Sequence, residues 1–223
     1  MYKTLLIVVL YGKTYKNSQT LNCLMIDGYS QADLLIVNRG PKALEFDKDF
    51  IHTLGFFVNS IDIREYSGES SLGDVYNRII KEKVEFDRFI FIDDDSTLSK
   101  GYIKKLNKYQ DGDVDLQMPN IVAEKDGRVH YPVIDQTVRK FNDGVKVNQQ
   151  NSFKSIGIGL VVYRSLVDKL SSINVDVFDR DFTHYGVNNG LTERVRLLKM
   201  RAISTTIQIV GVLKHSMENT YSL

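Results

Sequence analysis

A single cysteine in 223 residues, Cys23, excludes an intramolecular disulfide and any zinc cluster built on cysteine. An unpaired cysteine is most often core, and Cys23 is expected on the buried side of a helix. The charge is nearly balanced, 29 Lys and Arg against 28 Asp and Glu. That leaves no basic excess to form a nucleic-acid footprint, so no nucleic-acid partner is expected. No apolar run approaches the ~18 residues of a membrane span. The longest near the start, Leu5 to Leu10, has strand length. Only Lys3 precedes it as a cation and no small-residue cleavage site follows, so no signal peptide is read. A cytoplasmic protein is expected, and peripheral contact with the inner face of a membrane stays open. The sequence has no repeat, linker or low-complexity tract, and a single domain is the simplest expectation.

What is present is a rhythm of strands and helices. Leu5–Leu10 reads as a strand, and Ser18 is placed to cap a helix with Leu21, Leu24 and Met25 on one face. Asp33–Asn38 is a second strand, ended by Arg39-Gly40-Pro41, and a third lies near Phe57–Ile63. Leu72, Val75, Tyr76, Ile79 and Ile80 have helical spacing. Arg88–Ile92 is a fourth strand, after which Ser99 is expected to cap a helix bearing Ile103 and Leu106. This βαβ order implies an α/β fold, a mainly parallel sheet with helices on both faces. The second half is less regular. A hairpin is expected between Ile121 and Val129, and 135–155 is polar and reads as a mobile loop. A strand at Gly159–Tyr163, helices at Ser165–Leu170 and Leu191–Met200, and a strand at Ile207–Leu213 complete the chain.

The chemistry concentrates at Asp93-Asp94-Asp95, directly after the apolar run Phe89-Ile90-Phe91-Ile92. Three adjacent carboxylates repel unless a cation lies among them. Ligands of open α/β sheets bind at the carboxyl ends of the strands, where these acids fall. Hard oxygen ligands suit Mg or Mn holding a phosphate-bearing substrate. One reading takes Asp93-x-Asp95-x-Thr97 as the first motif of a haloacid-dehalogenase-type phosphatase, with Asp93 as nucleophile and Asp95 as acid/base. It requires a later acidic pair at a strand end, whereas Asp111, Asp113 and Asp115 lie in a polar turn.

The other reading makes the acids a DxD metal clamp, and several segments agree with it in order and spacing. These are Ile7-Val8-Val9-Leu10-Tyr11, Leu35-Ile36-Val37-Asn38, Ser71-Leu72-Gly73-Asp74-Val75-Tyr76-Asn77, Gln117-Met118-Pro119 before Asp126-Gly127, and Ser155-Ile156-Gly157-Ile158-Gly159. Val177-Phe178-Asp179-Arg180-Asp181-Phe182 with Tyr185-Gly186, then Arg194, and finally Leu213-Lys214-His215 continue the series. Together they resemble glycosyltransferase family 2, inverting nucleotide-sugar enzymes with a GT-A fold, along nearly the whole chain. The resemblance implies one Rossmann-like GT-A domain, with a nucleotide-binding half at 1–98 and an acceptor half at 99–223. It implies a Mn or Mg ion at Asp95, Asp93 and His215, with Asp95 binding it directly, His215 completing the protein ligands and Asp93 helping to position it. Tyr11, Asn38 and Asp93 would contact the nucleotide-diphosphate sugar donor. The acceptor would be a glycan or lipid-linked, as in bacterial cell-surface polysaccharide synthesis.

One departure stands out. An inverting transferase needs a carboxylate to take the acceptor hydroxyl's proton. In the family that acid follows the Tyr-Gly segment, and here the stretch is Val187-Asn188-Asn189-Gly190, with Asn188 at the base position. An amide does not accept that proton near neutral pH. Asp181 or Asp179 upstream, or Glu193 about one and a half turns along the helix, are substitutes. A binding or assembly protein with impaired transfer is the alternative.

Overall fold

The computed structural model describes residues 2–27, 29–66, 71–110, 112–180 and 189–216. The first half runs β1 (Thr4–Leu10), α1 (Gln19–Asp27), β2 (Tyr29–Asn38), α2 (Lys48–Leu54), β3 (Val58–Glu65), α3 (Leu72–Glu82), β4 (Arg88–Asp93) and β5 (Ser96–Leu98). It continues with α4 (Tyr102–Lys108), β6 (Leu116–Ala123), β7 (Val129–Tyr131), β8 (Val133–Ile134), β9 (Thr137–Val138) and β10 (Val145–Val147). The last elements are β11 (Phe153–Lys154), β12 (Leu160–Tyr163), α5 (Arg164–Ser171), α6 (Asn189–Met200) and β13 (Ile207–His215).

A ten-stranded sheet of order β10-β13-β6-β12-β4-β1-β2-β3 forms the centre, with β5 on β13 and β7 on β6. The neighbours β4, β1, β2 and β3 are parallel, as are β6 and β13, while β12 inserts antiparallel between β4 and β6. β1 is buried at every position because both its faces are covered. Leu5, Ile7 and Val9 pack toward α3, α5 and α6, whereas Leu6, Val8 and Leu10 pack toward α1, α2 and α4. The sheet runs unbroken across the expected boundary of the two halves through the β4–β12 pairing.

Ser18 caps α1 as expected, its hydroxyl accepting from the Leu21 N–H at 3.2 Å. Cys23 is buried in the core under α1. Ser99 is not a side-chain cap. The helix begins after Gly101, whose φ of 68° turns the chain, and Ser99 only offers its carbonyl to Tyr102 N–H at 3.1 Å. The hairpin is present, with Val122 opposite Val129. The polar stretch 135–155 is corrected. It carries β9, β10 and β11, and Phe141, Val147 and Phe153 anchor it in the core. β8 pairs with β11 and with β9 as a separate three-stranded sheet. No helix among the described residues is long and apolar enough to cross a membrane.

Candidate active site

The acids fall where the apolar run predicts, at the carboxyl end of β4, and α1 holds them there. Ser18 Oγ and the Thr20 N–H donate to the Asp94 carbonyl, at 3.0 and 3.2 Å. Thr20 Oγ1 donates to the Asp93 carbonyl and accepts from the Ser96 N–H at 2.9 Å. With backbone groups so committed, the three side chains diverge. Asp94 turns inward and is structural. Its carboxylate accepts from the Tyr11 N–H at 3.1 Å and from Lys13 Nζ at 2.6 Å, tying the chain after β1 to the acidic turn. Neither Asp94's role nor Lys13 was assigned from sequence, although a cation two residues past Tyr11 was a legible hint. Tyr11 itself is 56% exposed at the same rim of the sheet.

Asp95 and His215 meet as expected. β13 ends at His215, opposite Ser96 of β5, and His215 Nδ1 stands 3.1 Å from Asp95 Oδ1. The contact misses strict hydrogen-bond angles, and buried Asp95 Oδ1 has no other partner among the described residues. The other oxygen, Oδ2, accepts from Ser216 Oγ at 3.0 Å. Adjacent ligands of an octahedral ion with bonds of about 2.1 Å stand about 3 Å apart. An orphaned carboxylate oxygen and an imidazole nitrogen at that separation fit a hard divalent cation. Among the described residues no group of three or more His, Cys, Asp or Glu side chains gathers to hold a metal. Few protein ligands suit Mg-like ions that keep waters and substrate phosphates.

The electrostatics separate the acids. Burial, with the neighbouring charges of Asp95 and Asp94, pushes the Asp93 carboxyl up to about 6. No described residue donates a hydrogen bond to that carboxylate, so it is left for a ligand. Burial also pushes Asp95 up, but the His215 ring, the Ser216 hydroxyl and Lys13 hold it below the usual carboxylate range. Burial alone would lower His215, yet Asp95, Asp93 and Glu124 raise it above its ordinary value.

Asn38 closes β2 but is already occupied. Its amide donates to the Lys42 carbonyl at 2.8 Å and to Glu65 Oε2 at 2.6 Å, and accepts from the Gly40 N–H at 2.9 Å. It shapes the turn after β2, and Gly40 lies so close to Gly12 that a Cβ would come within 2.9 Å of the Gly12 nitrogen.

The base end is built on α3. Asn77 clamps Phe178 by accepting its N–H at 3.0 Å and donating to its carbonyl at 2.9 Å. A Cβ on Gly73 would overlap the Asp179 carbonyl at 1.9 Å, so only glycine lets this segment lie against α3. Arg194 of α6 reaches back to the Asp176 carbonyl at 2.6 Å and lies 3.5 Å from Asp179 Oδ2. Asp179 is thus partnered by a guanidinium. Glu193 pairs with Arg196 at 2.7 Å and is equally engaged. Asp181 and Asn188 lie outside the described residues.

No protein-family model matches the sequence, and no curated protein matches it significantly. Solved structures do match. The crystal structure of GalNAc-T7 with UDP, GalNAc and Mn2+ superposes at a TM-score of 0.66 and 9% identity, covering 96% of this chain and 43% of that one. S. aureus TarS matches at 0.66 and 15%, covering 98% of this chain and 38% of that one. TarS 1–349 in complex with UDP-GlcNAc matches at 0.67 and 14%, over 95% of this chain and 58% of that one. The fold is GT-A. The haloacid-dehalogenase alternative falls with this fold, since the acids follow the central strand of a GT-A sheet. The chain spans between 38% and 58% of those solved chains.

Proposed function

We propose that the chain is a metal-dependent glycosyltransferase that moves a sugar, with inversion, from a nucleotide-diphosphate donor to a glycan or lipid-linked acceptor. The observation that carries this is the Asp95–His215 contact with its orphaned carboxylate oxygen, at the rim that also bears Tyr11 and Asp93. Asp95 and His215 would hold Mn or Mg. When bound, that ion supplies positive charge against the departing nucleotide diphosphate. Tyr11 presents an exposed ring on which a base can stack. Asp93, to which no described residue donates a hydrogen bond, accepts from a ribose hydroxyl. Asn38 supports the nucleotide side indirectly through the turn that it closes. The 1–98 part supplies these donor contacts, and 99–223 adds His215 and the acceptor side.

A second reading, a GT-A protein that binds a sugar nucleotide without transferring it, is favoured by Asn188 and by the engagement of Asp179 with Arg194. Asp181 then decides between them. Donor hydrolysis is the assay, with and without Mn. The transferase reading expects Mn-dependent hydrolysis that falls about 100-fold in Asp181→Ala, the scale of a general-base contribution. If hydrolysis is absent in the wild type and emerges in Asn188→Asp, the binding reading is correct and the amide is the cause.

A further inference from the structure

A cavity lies outside the acidic turn, with none of Asp93, Asp94 or Asp95 in its lining. It has a volume of about 410 Å³, within the ~300–1,000 Å³ of small-molecule sites, and is walled by β8, β9, β10 and their connections. Ile134, Phe141, Val145 and Val147 form its apolar side, and Asp135, Thr137, Arg139, Lys146 and Asn151 its polar side. β8 pairs with β11, and the Phe153 carbonyl of β11 accepts from Thr192 Oγ1 of α6 at 2.8 Å. The cavity is thus joined through one small sheet to the first turns of the helix that follows the base position.

The surrounding segment carries more cations than carboxylates. Residues 133–154 carry Arg139, Lys140, Lys146 and Lys154 against Asp135 and Asp143. Both carboxylates are already engaged. Asp135 accepts from Asn151 Nδ2, from the Ser152 N–H at 2.8 Å and from the Ser152 hydroxyl at 3.2 Å. Asp143 accepts from the Gly211 N–H at 2.7 Å and lies 3.5 Å from Lys105 Nζ. Arg139 has no carboxylate at ion-pair distance among the described residues. Its guanidinium carbon lies 4.9 Å from the centre of the Phe141 ring, and the residue is exposed. A guanidinium so placed can make two-point contact with a carboxylate or phosphate.

We propose that this cavity binds an anionic sugar unit, one bearing a carboxylate or a phosphate, with Arg139 contacting the anion and the Ile134–Phe141 wall covering the ring. Its assignment to the acceptor rests on the glycosyltransferase reading above. The binding site itself does not. The test is a chemical-shift titration of the full chain with glucuronic acid, glycerol 3-phosphate and glucose, alongside UDP with Mn.

At least one acidic probe is expected to bind about tenfold more tightly than glucose, the scale of one charge-assisted contact. The tighter of the two acids identifies carboxylate or phosphate as the recognised group. Arg139→Gln should lose that preference and Arg139→Lys should keep part of it, both with unaltered unfolding temperature and UDP binding. Equal binding of glucose, or an acid preference that survives Arg139→Gln, overturns the inference. Acid binding without any UDP binding would keep this site and remove the transferase reading. UDP binding without acid preference would do the reverse.

Discussion

Asp95→Ala is expected to lower Mn-dependent donor hydrolysis at least 100-fold, with little change in the unfolding temperature of the ligand-free protein. The first half follows from the site. The Asp95 carboxylate is the acid that His215 faces, at 3.1 Å, and its Oδ1 is left without a hydrogen bond. Without that carboxylate, His215 alone would have to hold the cation. A 100-fold loss corresponds to about 2.7 kcal/mol, modest for one of two protein ligands. The second half follows from charge. Asp95 repels Asp93, one cause of the Asp93 carboxyl's rise to about 6, so its removal relieves strain while it breaks the His215 and Ser216 contacts. Hydrolysis that persists at the wild-type rate would remove Asp95 from the metal site.

A large stability effect is expected at Gly159→Ala. Gly159 has φ of +71°, and an added Cβ would lie 2.0 Å from Leu213 Cδ1 and 2.8 Å from Pro119 Cγ. The backbone conformation costs an L-residue about 1–2 kcal/mol, and overpacking a filled core adds about 1–3 kcal/mol. A loss of about 3 kcal/mol is therefore expected in urea unfolding, as a lower midpoint at an unchanged slope. Gly127 is the control. It also has positive φ, +67°, but nothing lies within 4 Å of its would-be Cβ, so Gly127→Ala should cost only about 1 kcal/mol. The change at 159 should also weaken Mn binding, because Leu213 is two residues before His215 on the same strand. Equal costs at the two glycines would show that the Leu213 and Pro119 overlap is relieved without strain.

Periodicity made the first half legible. β1 and β4 are buried on both faces and read as unbroken apolar runs, and α3 shows its buried face at Val75, Tyr76, Ile79 and Ile80. α2 escaped notice because it is short and buries only Phe50 and Leu54, although Asp47 caps it by accepting the Phe50 N–H at 3.0 Å. The strands in 135–155 were hidden for another reason. They are two or three residues long, and their anchors Phe141, Val147 and Phe153 are spaced too far apart to make a period.

In the site, the pairing of Asp95 with His215 came from the family resemblance. The structure puts Asp95 in the turn between β4 and β5 and His215 at the end of β13. The division of labour among the three acids was not readable from the sequence. It is set by which way each side chain turns, and Asp94 turns toward Lys13 and the Tyr11 amide, contacts made across more than eighty residues. Asn38 shows the same limit. Its position at the end of β2 was evident, but its three hydrogen bonds to Lys42, Glu65 and Gly40 depend on how the following turn folds back.

The central claim is that Asp95 and His215 hold a divalent cation on which a nucleotide diphosphate sits. Calorimetric titration of UDP into the full chain, metal-free and then with Mn, tests it most directly. The account predicts binding with Mn that is lost without it and lost again in His215→Ala. UDP affinity that is the same in metal-free buffer and in Mn would contradict it.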